Sequence, residues 1–527
     1  MRLINAKTYD LEDFSLKAIP EYAILSHTWG DDEVTYHDMS SPDRSVRQGW
    51  YKVAQTCRIA QDHQLDYVWV DTCCIDKSSS AELTEAINSM FQWYRKAYKC
   101  IVMLSDLVPS IEDEVKRALP ACRWWSRGWT LQELIAPRRL NFYNASGTHV
   151  GSRESLSEAI NKCTNIPSRV LGSRSALMTM SVAARMSWAA ARETTRVEDM
   201  AYCLLGILGV NMPLIYGEGD RAFRRLQEEV VRRESDLTIF ACEPKHGLFA
   251  DSARAFRNQE NFERYPNSFL DFSVTNRGLR LSGQTPLRLC RINGNPRTPP
   301  WMLVLFLGHF GDLTTSSGIC LRKVGPKLFR KDPEFSMVFF QGSEIGRRRL
   351  FYATDIYVII DWDESKNLLS KSFRTRAIHV PETDIFSLQD AIPETLWDPS
   401  DRMLLKPQPY KWSRYQMVLA MRFTAAIPDT PELVVLCDAR EYPPKAVLCV
   451  SQDQCRIEDL LFRGSRREDS MPWFDLELHA PSIRELSDTI KVDTDSKSYT
   501  ISVSLRQQRL EPGSPLDVVL EVVEQPQ

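Results

Sequence analysis

Three short apolar runs, each breaking off into a polar loop and each separated from the next by a helical pattern, constrain the fold of this chain most. Tyr22-Ala23-Ile24-Leu25 runs into Ser26-His27-Thr28-Trp29-Gly30-Asp31-Asp32-Glu33. Tyr67-Val68-Trp69-Val70 runs into Asp71-Thr72-Cys73-Cys74-Ile75-Asp76-Lys77, and Cys100-Ile101-Val102-Met103-Leu104 ends in Ser105-Asp106. Unbroken apolar runs of this length read as strands covered on both faces. Between the first two, Val46, Trp50, Val53, Cys57 and Ala60 recur at helical steps and predict a helix over about 44–63. Before the third, Ser79 and Glu82 form a capping-box signature ahead of a stripe of Leu83, Ile87, Met90, Phe91 and Tyr94. Leu140-Asn141-Phe142-Tyr143 is a fourth, weaker strand. This alternation predicts an α/β unit with a largely parallel sheet, whose ligands bind outside the carboxyl ends of the strands.

The stretch from Arg127 to Pro137 reads as a short helix: Gly128 opens it, Leu131, Leu134 and Ile135 form its apolar stripe, and Pro137 forbids continuation. Glu133 follows Trp129 by four residues, hence on the same helix face. The helix leaves the third strand and returns the chain for the fourth, so its start lies at the carboxyl edge. Glu133 is therefore expected to face the crevice shared by Ser26, His27, Trp29 and Asp71. Each residue also has a plainer reading: Trp129 as a core anchor, His27 as a structural hydrogen bond, Asp71 and Asp76 as caps of the segments they begin. Cys73-Cys74 beside His27 lacks the oxyanion element and orienting partner of a thiol nucleophile.

A length of 527 residues implies two or three domains. The formal net charge of -3 and the absence of a basic tract give no basis for a nucleic-acid or anionic-membrane partner. The N-terminus lacks a signal-peptide pattern and no segment reaches the ~18 apolar residues of a membrane span, so a soluble, cytoplasmic protein is expected. Thirteen scattered cysteines without C-x-x-C spacing predict reduced thiols, with no disulfide framework, zinc site or other metal.

Three divisions are expected: 1–148 as the α/β core, 149–235 as its helical remainder, and 236–527 as a β-rich domain. In the second, Leu156, Ala159, Ile160 and Cys163 form one stripe, and Met200, Leu204, Leu205, Ile207 and Leu208 a buried helix. A capped helix runs from Asp220 to Arg233. Arg192, Arg196, Glu198 and Asp199 either bind phosphate or pair internally. In the third, strand-length segments at 278–281, 301–306, 350–352, 356–360, 415–420, 433–436 and 499–505 predict an all-β, sandwich-like region. The run Gly346-Arg347-Arg348-Arg349 reads as a solvated turn.

Five blocks in order resemble the fungal heterokaryon-incompatibility domain family: YAILSHTWGDDE at 22–33, LDYVWVDTCCIDK at 65–77, AELTEAINSMFQWYRKAYKCIVMLSD at 81–106, RWWSRGWTLQELIAP at 123–137, and RMSWAAARETTRVEDMAYCLLGILGVNMPLIYGEG at 185–219. The first and fourth are also similar to Toll/interleukin-receptor-like (TIR) domains. There a strand enters S-F-x-G-x-D, and W-C-x-x-E-L carries the glutamate that cleaves NAD in enzymatic members. Ser26, Gly30 and Asp32 occupy the first motif, whose loop here is one residue longer and contains His27 and Trp29. Trp129, Glu133 and Leu134 keep the second, with Thr130 where Cys is usual. The resemblance implies a TIR-like, flavodoxin-like parallel sheet with a helical extension. It implies a cell-death effector that cleaves NAD, its substrate rather than a cofactor, through Glu133. Ser26, His27, Trp29, Gly30, Asp32, Asp71 and Trp129 would hold the nucleotide. The alternative is a non-catalytic adaptor that acts by self-association and partner binding.

Overall fold

The computed structural model describes residues 1–108, 111–243, 247–264 and 271–282, then segments 287–291, 301–310, 312–325, 327–332, 337–341, 355–361, 377–392, 396–399, 401–405, 418–427, 430–438, 445–450, 487–494, 497–507 and 515–525. Its first sheet has seven strands: β1 (Arg2–Asn5), β2 (Leu11–Asp13), β3 (Tyr22–His27), β4 (Tyr67–Trp69), β5 (Lys99–Met103), β6 (Leu140–Tyr143) and β7 (His149–Ser152). They lie in the order β2-β1-β4-β3-β5-β6-β7. The four predicted strands form its parallel centre, with Ile24 level with Trp69 on one side and Cys100 on the other, and Ile101 level with Asn141. Every residue of β3 is buried, as an unbroken apolar run requires. The hairpin β1-β2 and strand β7 add antiparallel edges. Alternation alone does not reveal these short strands.

The helices of this unit are α1 (Trp50–Asp62), the single turn α2 (Asp71–Cys74), α3 (Ser80–Lys96), α4 (Glu112–Ala118) and α5 (Thr130–Ile135). The helix predicted over 44–63 is divided: 42–46 is a 3-10 turn and α1 starts only at Trp50. Gly49 marks the break, because a Cβ there would lie 2.8 Å from the Glu33 Cα. Val46, assigned to the apolar stripe, is exposed. Half of the capping box forms at α3: Ser79 Oγ accepts the Glu82 N–H at 3.3 Å, while Glu82 turns to Arg2 and the Asp76 N–H.

Six further helices follow: α6 (Ser157–Thr164), α7 (Arg174–Thr179), α8 (Val182–Ser187), α9 (Asp199–Tyr202), α10 (Leu205–Leu208) and α11 (Arg221–Arg233). From 271 onward the described residues hold strands and no helix. Together with the earlier strand Phe262–Arg264 these make nine-, six- and four-stranded sheets, a strand-rich region as the segments predicted. Two pairings are parallel, Leu328–Lys331 with Ile356–Val358 and Ile378–His379 with Leu516–Glu524, so the region departs from a purely antiparallel sandwich. The predicted strand at 350–352, residues 415–417 and the Gly346–Arg349 turn lie outside the described residues. One apolar core runs from Leu3 to Ile360, including both sides of residue 235, and a second gathers residues between Ile378 and Val518. The buried Lys323 crosses between the regions by donating to the Trp397 carbonyl at 2.7 Å.

Candidate active site

The carboxyl ends of β3 and β4 supply the centre of the site. Ser26 and His27 are the last residues of β3, and Asp71 opens α2 directly after β4. His27 Nε2 lies 3.1 Å from Asp71 Oδ1, and the Trp29 indole N–H donates to Asp71 Oδ2 at 3.0 Å. Lys77 Nζ stands 3.6 Å above the Trp29 ring and 3.9 Å from Asp71. Asp71 thus joins a buried imidazole to a tryptophan that is 43% exposed. Burial alone would raise its pKa, but Lys77, His27 and the indole outweigh burial and hold it at about 2.

On the other side of His27, Nδ1 lies 3.2 Å from Lys52 Nζ, which also donates to the Thr28 carbonyl and pairs with Glu33. Glu33 accepts the Gly30 N–H at 2.7 Å, and Asp32 pairs with Arg47 and accepts the Gln48 N–H. These bonds fix the loop that carries Trp29, Gly30 and Asp32. A cleft of about 500 Å³ opens over it, lined among others by Trp29, Asp32, Arg47 and Lys77.

Glu133 lies behind this cleft rather than on its lining. Its carboxylate accepts the Ser26 hydroxyl at 2.5 Å, and Ser26 Oγ accepts the Trp124 indole N–H at 2.8 Å. The Tyr94 hydroxyl also faces Glu133, but its proton goes to the Leu25 carbonyl at 2.8 Å. Its oxygen is then left as an acceptor, which a protonated Glu133 satisfies. Burial pushes the Glu133 carboxyl up to about 8; the Ser26 hydroxyl opposes this and the Asp71 charge adds to it. Two neighbouring carboxylates are thus driven to opposite states at neutral pH, Asp71 ionised and Glu133 protonated.

This split has a consequence for stability. The folded state keeps a proton on Glu133 that an unfolded chain releases near the ordinary value of 4.5. Its contribution is fully present below that value and is lost as pH rises through about 8. Between pH 6 and 9 the wild type should lose on the order of 3 kcal/mol that Glu133→Gln does not lose. Urea unfolding of both proteins at the two pH values checks it; parallel curves would show that Glu133 is not protonated in the fold.

Trp129 does not join this group. It occupies the cap position of α5, half-buried, with its indole N–H facing Asp199 rather than the crevice. The entry to α5 is clamped from below: Gly128 N–H donates to the Glu193 carbonyl at 2.8 Å and Glu193 N–H to the Ser126 carbonyl at 2.6 Å. A Cβ on Gly128 would lie 2.5 Å from the Thr194 side chain. The clamp presents the cap residue to α9, although Glu133, one turn later, points to β3. Arg192, Glu198 and Asp199 are used internally: Arg192 bonds carbonyls, Glu198 accepts the Gly217 and Gly219 N–H groups, and Asp199 accepts the Tyr216 hydroxyl. Arg196 lies 4.5 Å over the Tyr216 ring.

Trp124, Tyr94, Lys52 and Lys77 are the site residues that pattern reading misses. Tyr94 was legible only as part of an apolar stripe, yet a buried phenol must find a partner, and the same holds for both indoles of the Trp124-Trp125 pair, of which Trp124 finds Ser26 and Trp125 the Leu119 carbonyl. Cys73 and Cys74 are buried, and burial pushes the Cys73 thiol up to about 12 and Cys74 well above its usual range. Neither is a nucleophile at neutral pH. Among the described residues no His, Cys, Asp and Glu group is arranged to hold a metal ion, and no helix is long and apolar enough to cross a membrane.

Residues 22–119, from β3 into the segment before α5, match the family model described as Heterokaryon incompatibility protein (HET). Residues 221–276, from α11 into the strand-rich region, match a domain of unknown function, DUF8212. The chain is also 40% identical over 371 residues to the Vegetative incompatibility protein HET-E-1 of Podospora anserina, an alignment that takes in 66% of this chain and 27% of that protein. The chain therefore spans well under a third of the length of the curated relative it matches. No solved structure matches it.

Proposed function

We propose that the chain is a fungal heterokaryon-incompatibility effector whose N-terminal α/β unit is TIR-like and hydrolyses NAD to nicotinamide and ADP-ribose through Glu133. The observation that carries this reading is the gathering of Ser26, His27, Trp29, Asp71 and Glu133 at the carboxyl edge of a parallel sheet. The parallel strands lie in the order second-first-third-fourth, as a flavodoxin-like winding would have them, and this order supports the reading because ligands of such sheets bind beside the first strand, which carries Ser26 and His27. The match to the heterokaryon-incompatibility family model and the similarity to one vegetative incompatibility protein support the biological class.

Cleavage of the nicotinamide–ribose bond makes few demands. The ring departs neutral from a cationic pyridinium, so no acid must protonate it, in contrast to ordinary glycosides. One carboxylate suffices to stabilise the positive charge that develops on the ribose. Burial keeps Glu133 protonated at neutral pH; a neighbouring pyridinium cation favours its ionised form, so the charge is supplied when substrate binds. Trp29 and Lys77 both line the cleft, the indole offering an aromatic surface and the ammonium a cation to the pyrophosphate, while Arg47 on the same lining is paired with Asp32 and Asp38. Purified protein at high concentration, incubated with NAD, should release nicotinamide; none under self-associating conditions would sink the enzyme reading.

Asp71→Asn should act on binding. It removes the charge that holds Lys77, His27 and Trp29 together, so KM for NAD should rise about tenfold with kcat within about threefold of wild type. An equal fall in kcat and kcat/KM would place Asp71 in the chemical step instead.

A second reading has its own observation. Glu133 is 7% exposed and its oxygens are engaged by neighbouring hydroxyls, which suits a polar brace between α5 and β3 in a non-catalytic adaptor that assembles with itself or a partner. Under that reading no nicotinamide appears and Glu133→Gln leaves assembly unchanged.

A further inference from the structure

We propose that a second cleft, at the amino edge of the first sheet, binds a small molecule carrying two or more phosphate groups. It measures about 850 Å³ and is built from the start of β3, the last turns of α3, α10 and the end of α11. Tyr22 and His27 terminate the same strand, so the cleft lies roughly 17 Å from the Glu133 site at 3.3 Å per residue.

Lys17, Lys96, Arg174 and Arg233 converge on this cleft, with Glu21 as the opposing carboxylate. Among the described residues none of the four cations makes an ion pair, although the chain as a whole carries a net charge of -3. Arg174 also borders an adjoining hollow of about 570 Å³ that holds Arg95 and Arg138. Unpaired cations in a concavity repel one another and focus a positive potential that a multivalent anion relieves. The wall is rigid: a Cβ on Gly206 would lie 2.2 Å from that of Phe91, so α10 rests directly on α3. Tyr22 is buried beneath and its hydroxyl donates to the Trp93 carbonyl at 2.6 Å. Ser89 and Gln92 line the same space with hydroxyl and amide groups. A half-open concave cleft of this volume suits a nucleotide-sized ligand, whereas a bilayer requires a flat or protruding surface.

Isothermal titration of the full chain with sodium pyrophosphate, ATP and inositol hexakisphosphate tests the assignment. One-to-one saturable binding is expected for at least one of them. It should weaken at high salt, survive Glu133→Gln, and fall about tenfold or more in Lys96→Ala/Arg174→Ala. Arg233→Ala, at an exposed helix end, provides an independent variant should the double substitution misfold. No saturable binding by any probe, binding indifferent to these substitutions, or binding only to vesicles containing phosphatidylinositol bisphosphate would overturn it.

Discussion

Glu133→Gln is expected to lower nicotinamide release from NAD by about a thousandfold and to leave the chain folded. The substitution keeps every hydrogen bond that a protonated glutamate makes. The amide oxygen still accepts from Ser26, whose own acceptor role toward Trp124 is untouched. The amide nitrogen donates toward Tyr94, whose proton remains on the Leu25 carbonyl. What is lost is the ability to become negative when a ribosyl cation forms. Wild-type kcat/KM should therefore rise with pH through about 8, where the free enzyme ionises Glu133, and kcat should rise at lower pH because the bound pyridinium favours the carboxylate. A Glu133→Gln protein with native circular dichroism and undiminished turnover would remove Glu133 from the chemistry while sparing the enzyme.

The central strands and the residues at their ends were legible because burial on both faces leaves an unbroken apolar run, and such a run ends where the chain reaches solvent. Ser26, His27 and Asp71 therefore fell at the right edge of the sheet without any knowledge of contacts. The geometry around Glu133 was less legible. Helical spacing puts Trp129 and Glu133 on one face, but spacing carries no information about what each end of a six-residue helix meets. The Glu193 clamp, about sixty residues later in the chain, turns the cap residue toward Asp199. Trp124 and Tyr94 escaped because their polar atoms are single handles on apolar bodies, and pattern reading weighs only the body. Composition changes near residue 235, whereas one apolar core continues through it to Ile360.

That continuity makes the helical extension part of the site, and Arg192 is where the dependence is largest. Arg192 is buried, and burial brings its pKa down to about 10. Its guanidinium donates to the Trp188 carbonyl at 3.2 Å, the Arg127 carbonyl at 2.9 Å and Thr130 Oγ1 at 2.9 Å, tying the extension to the first turn of α5. The Thr130 hydroxyl donates in turn to the Trp124 carbonyl at 2.6 Å, so the chain of bonds runs from the extension to the indole that holds Ser26. Arg192→Met preserves the apolar stem but leaves buried carbonyls without donors. A cost of about 3 kcal/mol is expected, several times that of an exposed charge. Because a positive charge near Glu133 is removed as well, the Glu133 carboxyl should titrate at still higher pH. Chemical denaturation gives the first effect and the pH profile of nicotinamide release the second. A loss of stability without a move in the profile would mean that Arg192 braces α5 but does not tune the carboxylate it carries.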